Sequence, residues 1–281
     1  MRTLVHLSDL HMGRLDPEVM SPLIDAVRRV RPHLVVISGD FTQRATDAQF
    51  RSARAFLDAI DQRTLCIPGN HDVPLWNVAA RFLTPLDRYR RHISANVSPE
   101  YQDEEMIVVG VNTTRSFAWG EGRINLAEVE RILTRLAAVP PNVTRIVVTH
   151  HPFDLPPGVR ETRLIGRARA AMARLAVGGA DLFLSGHLHL THISHSAERY
   201  RIAGHSALIV QAGTVSMRGR GEEPSFNVLR LDRRRLEIGR LLWDPPQRRF
   251  AETAFGIYRR EDNGWRAVDE VSAVPPVAPQ S

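Results

Sequence analysis

Five short runs of this chain place metal-binding side chains directly after an apolar stretch. Each run contains histidine, aspartate or asparagine, and each begins where a predicted strand gives way to a loop. The runs are Asp9-Leu10-His11, Gly39-Asp40, Gly69-Asn70-His71-Asp72, His150-His151 and Gly186-His187-Leu188-His189. Hard and borderline metal ions take imidazole nitrogens together with carboxylate or amide oxygens, so five such runs predict one shared two-metal site.

The order of predicted elements explains how these runs could meet. The first 70 residues alternate apolar strands with amphipathic helices, the strands at 4–7, 33–38 and 64–67 and the helices at 21–31 and from 46. Strand–helix–strand units give parallel sheets with right-handed crossovers, and ligands collect at the carboxyl ends of such strands. After residue 189, four strand-like segments follow without a long helix, which predicts an antiparallel sheet that completes a second layer.

Composition and charge exclude several classes of protein. The chain has 281 residues, 43% of them hydrophobic, which suits one globular domain; we expect it over residues 1–265, with a loose tail over 266–281. No apolar run approaches the roughly 20 residues that span a bilayer, so no membrane partner is expected. The N-terminus has no signal-peptide pattern and Cys66 is the single cysteine, so we expect a cytoplasmic protein without a disulfide framework.

The net charge of +6 comes from 37 basic residues that are all arginine. They are spread along the chain, which favours a solvated basic surface; the alternative is steering of an anionic substrate toward the site. Nucleic-acid binding is not favoured, because aromatic residues are only 6% and no concentrated basic stripe is present.

Together, the five runs resemble the motifs of the calcineurin-like metallophosphoesterase superfamily, which read D-x-H, G-D, G-N-H-[DE], H and G-H-x-H in this order. The resemblance covers about residues 4 to 213. It implies a metallo-dependent phosphatase fold, an α/β four-layer α/β/β/α sandwich of two facing mixed sheets flanked by helices. We expect the strand-rich C-terminal part to provide the second sheet.

The resemblance also implies roles for individual residues and a cofactor of two metal ions, whose identity (Fe, Mn, Zn or Co) stays open. His71 would act on the leaving-group oxygen, and Asp72 would orient its ring. The family's usual assignment selects the first residue of the His150-His151 pair as the ligand. The implied ligands are Asp9, His11 and His189 for one metal, Asn70, His150 and His187 for the other, and Asp40 as the bridge.

Spacing agrees with two of these assignments. Residues i and i+2 of an extended segment point to the same side, so Asp9 and His11 could reach one metal, and His187 and His189 alternate in the same way. Asp40 ends an apolar run, where a buried carboxylate is unfavourable unless it is paired or bound to metal.

Within the superfamily, the short chain, the Asp72 position and the lack of an inserted domain most resemble bacterial class III cyclic nucleotide phosphodiesterases and their glycerophosphodiesterase relatives. The implied function is hydrolysis of a small phosphodiester, such as a 3',5'-cyclic nucleotide, by in-line attack of a metal-bridging hydroxide. A phosphomonoesterase or a nuclease that uses the same site is the alternative. From another class, a non-catalytic metal-binding scaffold also stays open.

Substrate contacts are predicted at three further residues. Asn112 ends a strand beside the expected site, and Arg218 and Arg220 lie on a glycine-rich loop that could hold a phosphate in a bidentate manner. An ordinary polar turn and a plain surface loop are the respective alternatives. Residues 76–91 could form a helical cap over the pocket, and a homodimer stays open.

Overall fold

The computed structural model of the protein describes residues 1–117, 120–201, 205–219 and 221–269. The strands are β1 (Arg2–Leu7), β2 (Leu34–Ile37), β3 (Thr64–Cys66), β4 (Glu100–Gln102), β5 (Met106–Val111), β6 (Thr144–Thr149), β7 (Leu182–Ser185), β8 (His192–His195), β9 (Leu208–Gln211), β10 (Ser225–Leu231), β11 (Arg235–Asp244), β12 (Arg249–Glu261) and β13 (Gly264–Asp269). The helices are α1 (Pro17–Val30), α2 (Asp47–Ile60), α3 (Val78–Leu83), α4 (Asp87–His92), α5 (Leu126–Ala137), α6 (Ala168–Val177) and α7 (Ser196–Tyr200).

These strands form two mixed sheets. The first has the order β13-β12-β11-β10-β1-β2-β3, and the second has the order β4-β5-β6-β7-β9-β8. The central strands β1, β2 and β3 run parallel, as do β5, β6, β7 and β9, while the remaining pairs are antiparallel. The predicted parallel sheet and the α/β class are therefore confirmed.

The C-terminal strands take a different place from the predicted one. Of the four predicted segments after residue 189, the first is β9, which does lie in the second sheet but runs parallel to β7. For the other three the expectation is wrong, because β10 pairs with β1 in antiparallel register, with Val5 opposite Val228, and β11, β12 and β13 follow outward. The second sheet is instead built from the middle of the chain, β4 to β9. Strand β2 pairs with one edge of β1, which leaves the backbone N–H and C=O groups of the other edge unpaired. Strand β10 forms hydrogen bonds with these groups.

Three apolar clusters show the layer order. Alternate residues of β1 point to opposite faces of the first sheet, so Leu4 packs between the sheets and Val5 packs under the helices. The inter-sheet cluster joins Leu34 and Val36 of β2 to Val148 of β6 and to other residues of the second sheet. The outer clusters contain residues of α1 and α2 on one side and of α5 and α6 on the other. The result is the predicted α/β/β/α sandwich.

Helix α1 begins earlier than the predicted start at Ser21-Pro22. The Asp16 side chain accepts a hydrogen bond from the backbone N–H of Glu18 at 2.9 Å, and Pro17 is the first helical residue. Both sites offer a capping residue followed by proline, and the earlier one is used, with Pro22 inside the helix. The predicted start of the second helix at residue 46 is confirmed: Thr46 is the N-cap of α2, and its hydroxyl accepts from the Gln49 N–H at 3.3 Å.

At the C-terminus, the predicted domain boundary after residue 265 falls inside β13, which continues to Asp269 as an edge strand of the first sheet. The remainder of the predicted tail, residues 270–281, lies outside the described residues. Among the described residues, no helix has both the length and the apolar character needed to cross a membrane.

The inter-sheet core makes a stability prediction. Leu34 is fully buried there, so Leu34→Ala would leave a cavity and lower the free energy of unfolding by about 2–5 kcal/mol. Leu126→Ala is the matched control, because that leucine is 49% exposed at the start of α5. Denaturant unfolding followed by circular dichroism measures both changes. Equal losses for the two variants would contradict the assignment of Leu34 to the core.

Candidate metal centre

The seven predicted metal ligands all lie beyond the carboxyl ends of parallel strands. Five strands, three in one sheet and two in the other, end directly before the loops that carry them. Asp9 and His11 follow β1, Asp40 follows β2, Asn70 follows β3, His150 follows β6, and His187 and His189 follow β7. Because both sheets present these ends to one region, residues up to 180 positions apart become neighbours.

The local backbone at the site differs from the extended conformation that the spacing argument assumed. Asp9, His11, Asp40, His187 and His189 all have positive φ, between 44° and 71°. Single left-handed residues turn the loops sharply, and this turning brings the paired side chains together. The side chains converge as expected, but through a different backbone geometry.

The first group of ligand atoms belongs to Asp9, His11 and His189. Their burial is nearly complete, at 0%, 0% and 6% exposure. Asp9 Oδ1 lies 3.2 Å from His189 Nε2 and 3.5 Å from His11 Nε2, and the two imidazole nitrogens are 3.1 Å apart. Two ligands that each lie about 2.1 Å from one metal are about 3.0–3.4 Å apart at tetrahedral or octahedral angles, so this spacing fits a metal ion.

The second group contains Asn70, His150 and His187. Asn70 Oδ1 lies 3.1 Å from His150 Nε2 and 3.0 Å from His187 Nδ1. Asp40 connects the two groups, because its Oδ2 is 3.4 Å from His150 Nε2 and 3.7 Å from His11 Nε2. One carboxylate oxygen therefore faces a ligand atom of each group, which is the geometry of a bridging ligand.

Unpaired buried atoms test whether these residues fit metal ions. Asp9 Oδ1 and His187 Nε2 are buried without a hydrogen-bond partner among the described residues. Buried polar atoms are normally paired, and an unpaired carboxylate oxygen that faces two imidazoles is explained by a cation between them. The mixed nitrogen and oxygen donors suit Fe, Mn, Zn or Co. The residues present fit a pair of metal ions.

Charge at the site favours ionised carboxylates. Burial alone would raise the pKa of Asp9, but His189 and His11 outweigh burial and hold this pKa well below its ordinary value. The pKa of Asp40 is likewise lowered, because His150 outweighs the effect of burial. Burial opposes the charge of His150 in turn, yet Asp40 raises the pKa of His150 to about 9.

Backbone carbonyls orient two of the imidazole rings. His150 Nδ1 contacts the carbonyl of Ser38 at 2.7 Å, and His189 Nδ1 contacts the carbonyl of Arg218 at 2.9 Å. Each contact leaves Nε2 facing Asp40 or Asp9. His151 lies differently, because its Nδ1 bonds Thr113 Oγ1 at 2.8 Å. The geometry therefore places His150, rather than His151, beside Asp40.

His71 lies at the edge of the two groups. Its backbone N–H donates to Asp40 Oδ1 at 2.8 Å, and its Nδ1 contacts the carbonyl of Gln43 at 3.0 Å. Its Nε2 is 3.2 Å from Arg218 Nη1 at the cavity. Burial lowers the pKa of His71, and Asp40 opposes that effect.

Asp72 does not orient the His71 ring as predicted. Its carboxylate accepts backbone N–H groups of Phe41, Thr42 and Gly69 at 2.9–3.2 Å, and the Thr42 hydroxyl at 3.1 Å. Asp72 is 1% exposed, and burial, with Asp40 next, raises its pKa to about 7. The contacts of Asp72 join the loops after β2 and β3. The Gln43 carbonyl, rather than the Asp72 carboxylate, contacts the His71 ring.

The three predicted substrate contacts have separate outcomes. Arg218 lines a cavity of about 250 Å³ at the metal ligands, and its Nη1 is 3.3 Å from His11 Nε2. Asn112 is not among the residues that line this cavity, because its Oδ1 accepts from the N–H and hydroxyl of Thr114 and forms a local turn. Arg220 lies outside the described residues.

Sequence reasoning missed other residues of this cavity. Gln43, Arg44, Arg81 and Arg163 also line it, as does Leu75, which directly precedes the predicted cap. Isolated arginines carry no signal in a chain with 37 of them, and their approach depends on loop packing. Gln43 could have been considered from its position three residues after Asp40.

Two motif glycines are required by lack of space. A methyl group on Gly69 would overlap the Asp40 carboxylate, and one on Gly186 would overlap Ser8 Oγ and the carboxylate of Asp9. Gly69 has an ordinary extended backbone, with φ of −107°, so crowding rather than conformation excludes a side chain there. The glycines of these motifs let the loops reach the carboxylates.

Known proteins share this fold. Residues 2–190 match the family model described as calcineurin-like phosphoesterase. This chain belongs to the calcineurin-like phosphoesterase family. Among solved structures, a dimetal phosphatase from Danio rerio is similar with 14% identity and a TM-score of 0.64, over 84% of this chain and 95% of that chain. A purple acid phosphatase from yellow lupin (Lupinus luteus) seeds is similar with 12% identity and a TM-score of 0.61, over 86% of this chain and 51% of that chain.

At these identities, the two structural similarities show the fold alone, and no curated protein matches the sequence. Membership of the calcineurin-like phosphoesterase family confirms the predicted family and its two-sheet fold. The family uses a dimetal centre, and the clusters of Asp9, His11 and His189 and of Asp9, Asp40 and His150 could hold metal ions. The class III subtype stays a prediction.

The raised pKa of His150 predicts how metal binding depends on pH. In the metal-free protein this imidazole keeps its proton below about pH 9, and the proton must leave before Nε2 can bind a metal. The affinity for Zn²⁺ or Mn²⁺ should therefore rise with pH from 6 toward 9, with proton release on binding. Calorimetric titration of metal-free protein in buffers of different ionisation enthalpy measures both quantities. A pH-independent affinity without proton release would contradict this expectation.

Proposed function

We propose that this calcineurin-like phosphoesterase hydrolyses a small phosphodiester, with a 3',5'-cyclic nucleotide as the leading candidate. The observation that carries the proposal is the Asp40 carboxylate, which faces both ligand groups while His71 and Arg218 flank them. In this proposal, Asp9, His11 and His189 would hold one metal, Asn70, His150 and His187 would hold the other, and Asp40 would contact both.

Two bound metal ions would supply an activated water and neutralise the charge of the phosphate oxygens. The chain supplies the remaining groups. Arg218 presents a guanidinium, which stays charged at any working pH and can donate to two phosphate oxygens in parallel. Arg218 lies between His71 and His11. A phosphate bound there would contact Arg218 and would also face the side chains that are proposed to hold the metals.

His71 is the proposed general acid. The Gln43 carbonyl accepts from Nδ1–H, so the second proton of a charged ring is on Nε2, which faces the cavity. From there, Nε2–H can protonate the departing alkoxide. Burial and the positive charge of Arg218 lower the pKa of the His71 ring, whereas Asp40 raises it. A bound anionic phosphate would raise this pKa in the same way as Asp40.

Room on both sides of the site supports a diester. Gln43 and Arg44 line the cavity beside His71, whereas Gly120 and Arg163 line it with His187. A phosphate at Arg218 would therefore have polar or charged side chains of the cavity on two sides, which could contact both substituents of a diester. The resemblance to class III phosphodiesterases points the same way.

The proposal also includes a cytoplasmic location. The lone buried Cys66 is consistent with that location.

A phosphomonoesterase is the second candidate, and one observation favours it. Arg44, Arg163 and Arg218 all line the cavity, and a cluster of guanidinium groups suits the dianion of a monoester. The distinction therefore depends on direct comparison of the two substrate types.

The proposal predicts preferential turnover of a diester. Protein loaded separately with Mn, Zn, Co or Fe should hydrolyse bis(p-nitrophenyl) phosphate with a higher kcat/KM than p-nitrophenyl phosphate. Asp40→Ala is the control for the site, because loss of the bridging carboxylate should reduce both activity and bound metal, measured by plasma emission spectroscopy. The reverse preference would favour the monoesterase, and absence of turnover on both would overturn the proposed hydrolase.

The role of His71 predicts a dependence on the leaving group. His71→Ala should slow hydrolysis of an alkyl diester by about 10²–10⁴-fold, because the departing alkoxide needs a proton. Hydrolysis of the p-nitrophenyl ester should change much less, because that leaving group is stable as an anion. His33→Ala, at an exposed histidine before β2, is the matched control. Equal losses on both substrates would contradict the role of His71 as an acid.

A further inference from the structure

Exposed apolar side chains cluster beside the mouth of the metal cavity. Six of the ten large apolar side chains exposed in the described ranges lie within three residues of a cavity-lining residue. We call these six the apolar rim: Trp76, Val78, Phe82, Leu83, Phe117 and Met217. Soluble surfaces normally scatter such residues singly, so their concentration at one face indicates a contact surface.

The rim is continuous across two segments. The Phe82 and Phe117 rings have their centroids 5.0 Å apart, and Arg81 Nε donates to the carbonyl of Ser116 at 2.7 Å. Arg81 itself lines the cavity, so α3 and the loop before residue 118 meet at the cavity mouth.

The shape of the rim favours an extended surface over a small ligand. Trp76, Leu83 and Phe117 are 76%, 80% and 86% exposed, so they project outward and line no groove. A pocket for a small apolar group would instead bury its lining. Projecting tryptophan, phenylalanine and leucine side chains insert well into the boundary between lipid headgroups and acyl chains.

Unpaired positive charge surrounds the same mouth. Arg44, Arg163 and Arg218 line the cavity, and the carbonyl of Arg14 accepts from the Met217 N–H at 3.2 Å. Among the described residues, none of these four arginines has a carboxylate partner within 4.0 Å, so no neighbouring acid neutralises their charge. Free arginines beside apolar projections complement an anionic lipid surface.

We infer that the face bearing the apolar rim docks on an anionic lipid bilayer, with the cavity mouth at headgroup level. A second copy of the chain is disfavoured as the occupant, because a two-fold contact would place the unpaired arginines against one another. Peripheral contact with a bilayer needs no membrane-spanning helix. Docking therefore changes only the expectation that the protein has no membrane partner. This inference rests on the proposed hydrolase activity for one further point: the substrates would include a phosphodiester carried by a lipid in addition to small soluble diesters.

Vesicle binding tests the docking surface without relying on turnover. The intact protein should float with vesicles containing about one-third phosphatidylglycerol in phosphatidylcholine and bind pure phosphatidylcholine far more weakly. Salt should weaken this binding. The double variant Trp76→Glu/Phe117→Glu should bind about tenfold less or weaker still, because it buries less apolar area and adds negative charge. Val177→Glu is the matched control, since Val177 is also 76% exposed but lies on α6, away from the rim.

Failure of the wild type to bind the anionic vesicles, or equal binding by the double variant, would overturn the inference. Loss of a dimer in the double variant, seen by sedimentation velocity without vesicle binding by the wild type, would assign the rim to a second copy and also overturn it. Soluble diester turnover separates docking from catalysis, because the double variant should keep it. Its turnover of phosphatidylglycerol in vesicles should fall by about the same factor as its binding. An enzyme that binds vesicles and hydrolyses soluble diesters, but not phosphatidylglycerol, would overturn the lipid substrate.

Discussion

The buried charge of Asp40 places the strongest demand on its surroundings. The carboxylate follows a fully buried strand and is 1% exposed, a position where an isolated charge is strongly unfavourable. One oxygen accepts the His71 N–H and the other faces His11 and His150. His11, His71 and His150 lie on loops that follow three different strands. Compensation of the Asp40 charge therefore requires the ends of these three strands to lie close together.

Backbone strain accompanies this convergence. Five of the seven candidate metal ligands adopt left-handed conformations without being glycine, each at a cost of order 1–3 kcal/mol. Such strain persists only where packing and hydrogen bonds hold the backbone on both sides. Here the loops are attached to strands in the core of both sheets, and Asp72 joins two of them through four hydrogen bonds. The two-sheet core therefore supplies the rigidity on which a preorganised metal centre depends.

The surface around the cavity combines exposed apolar side chains with positively charged arginines. Some arginines elsewhere form buried or half-buried ion pairs, such as Arg240 with Glu222 and Arg199 with Asp154. Among the described residues, Arg44, Arg163 and Arg218 at the cavity mouth have no carboxylate partner within 4.0 Å, and they lie beside side chains that project into solvent. Such a combination is unfavourable for a protein that meets only water, and it is physically sensible for one that meets an anionic partner.

The sequence by itself determined the family, the parallel strands β1, β2 and β3 of the first sheet and the seven candidate ligands. These depend on local patterns: apolar runs, strand ends, and glycines that leave space for Asp40 and Asp9. Only the tertiary structure decided that β10 pairs with β1, that Gln43 rather than Asp72 holds the His71 ring, and that Arg218 enters the cavity while Asn112 forms a turn. Those outcomes depend on which backbone edges and carbonyls are free after distant segments have packed. A periodic sequence pattern records the face that a residue buries, but it does not record the partner that long-range packing brings to that face.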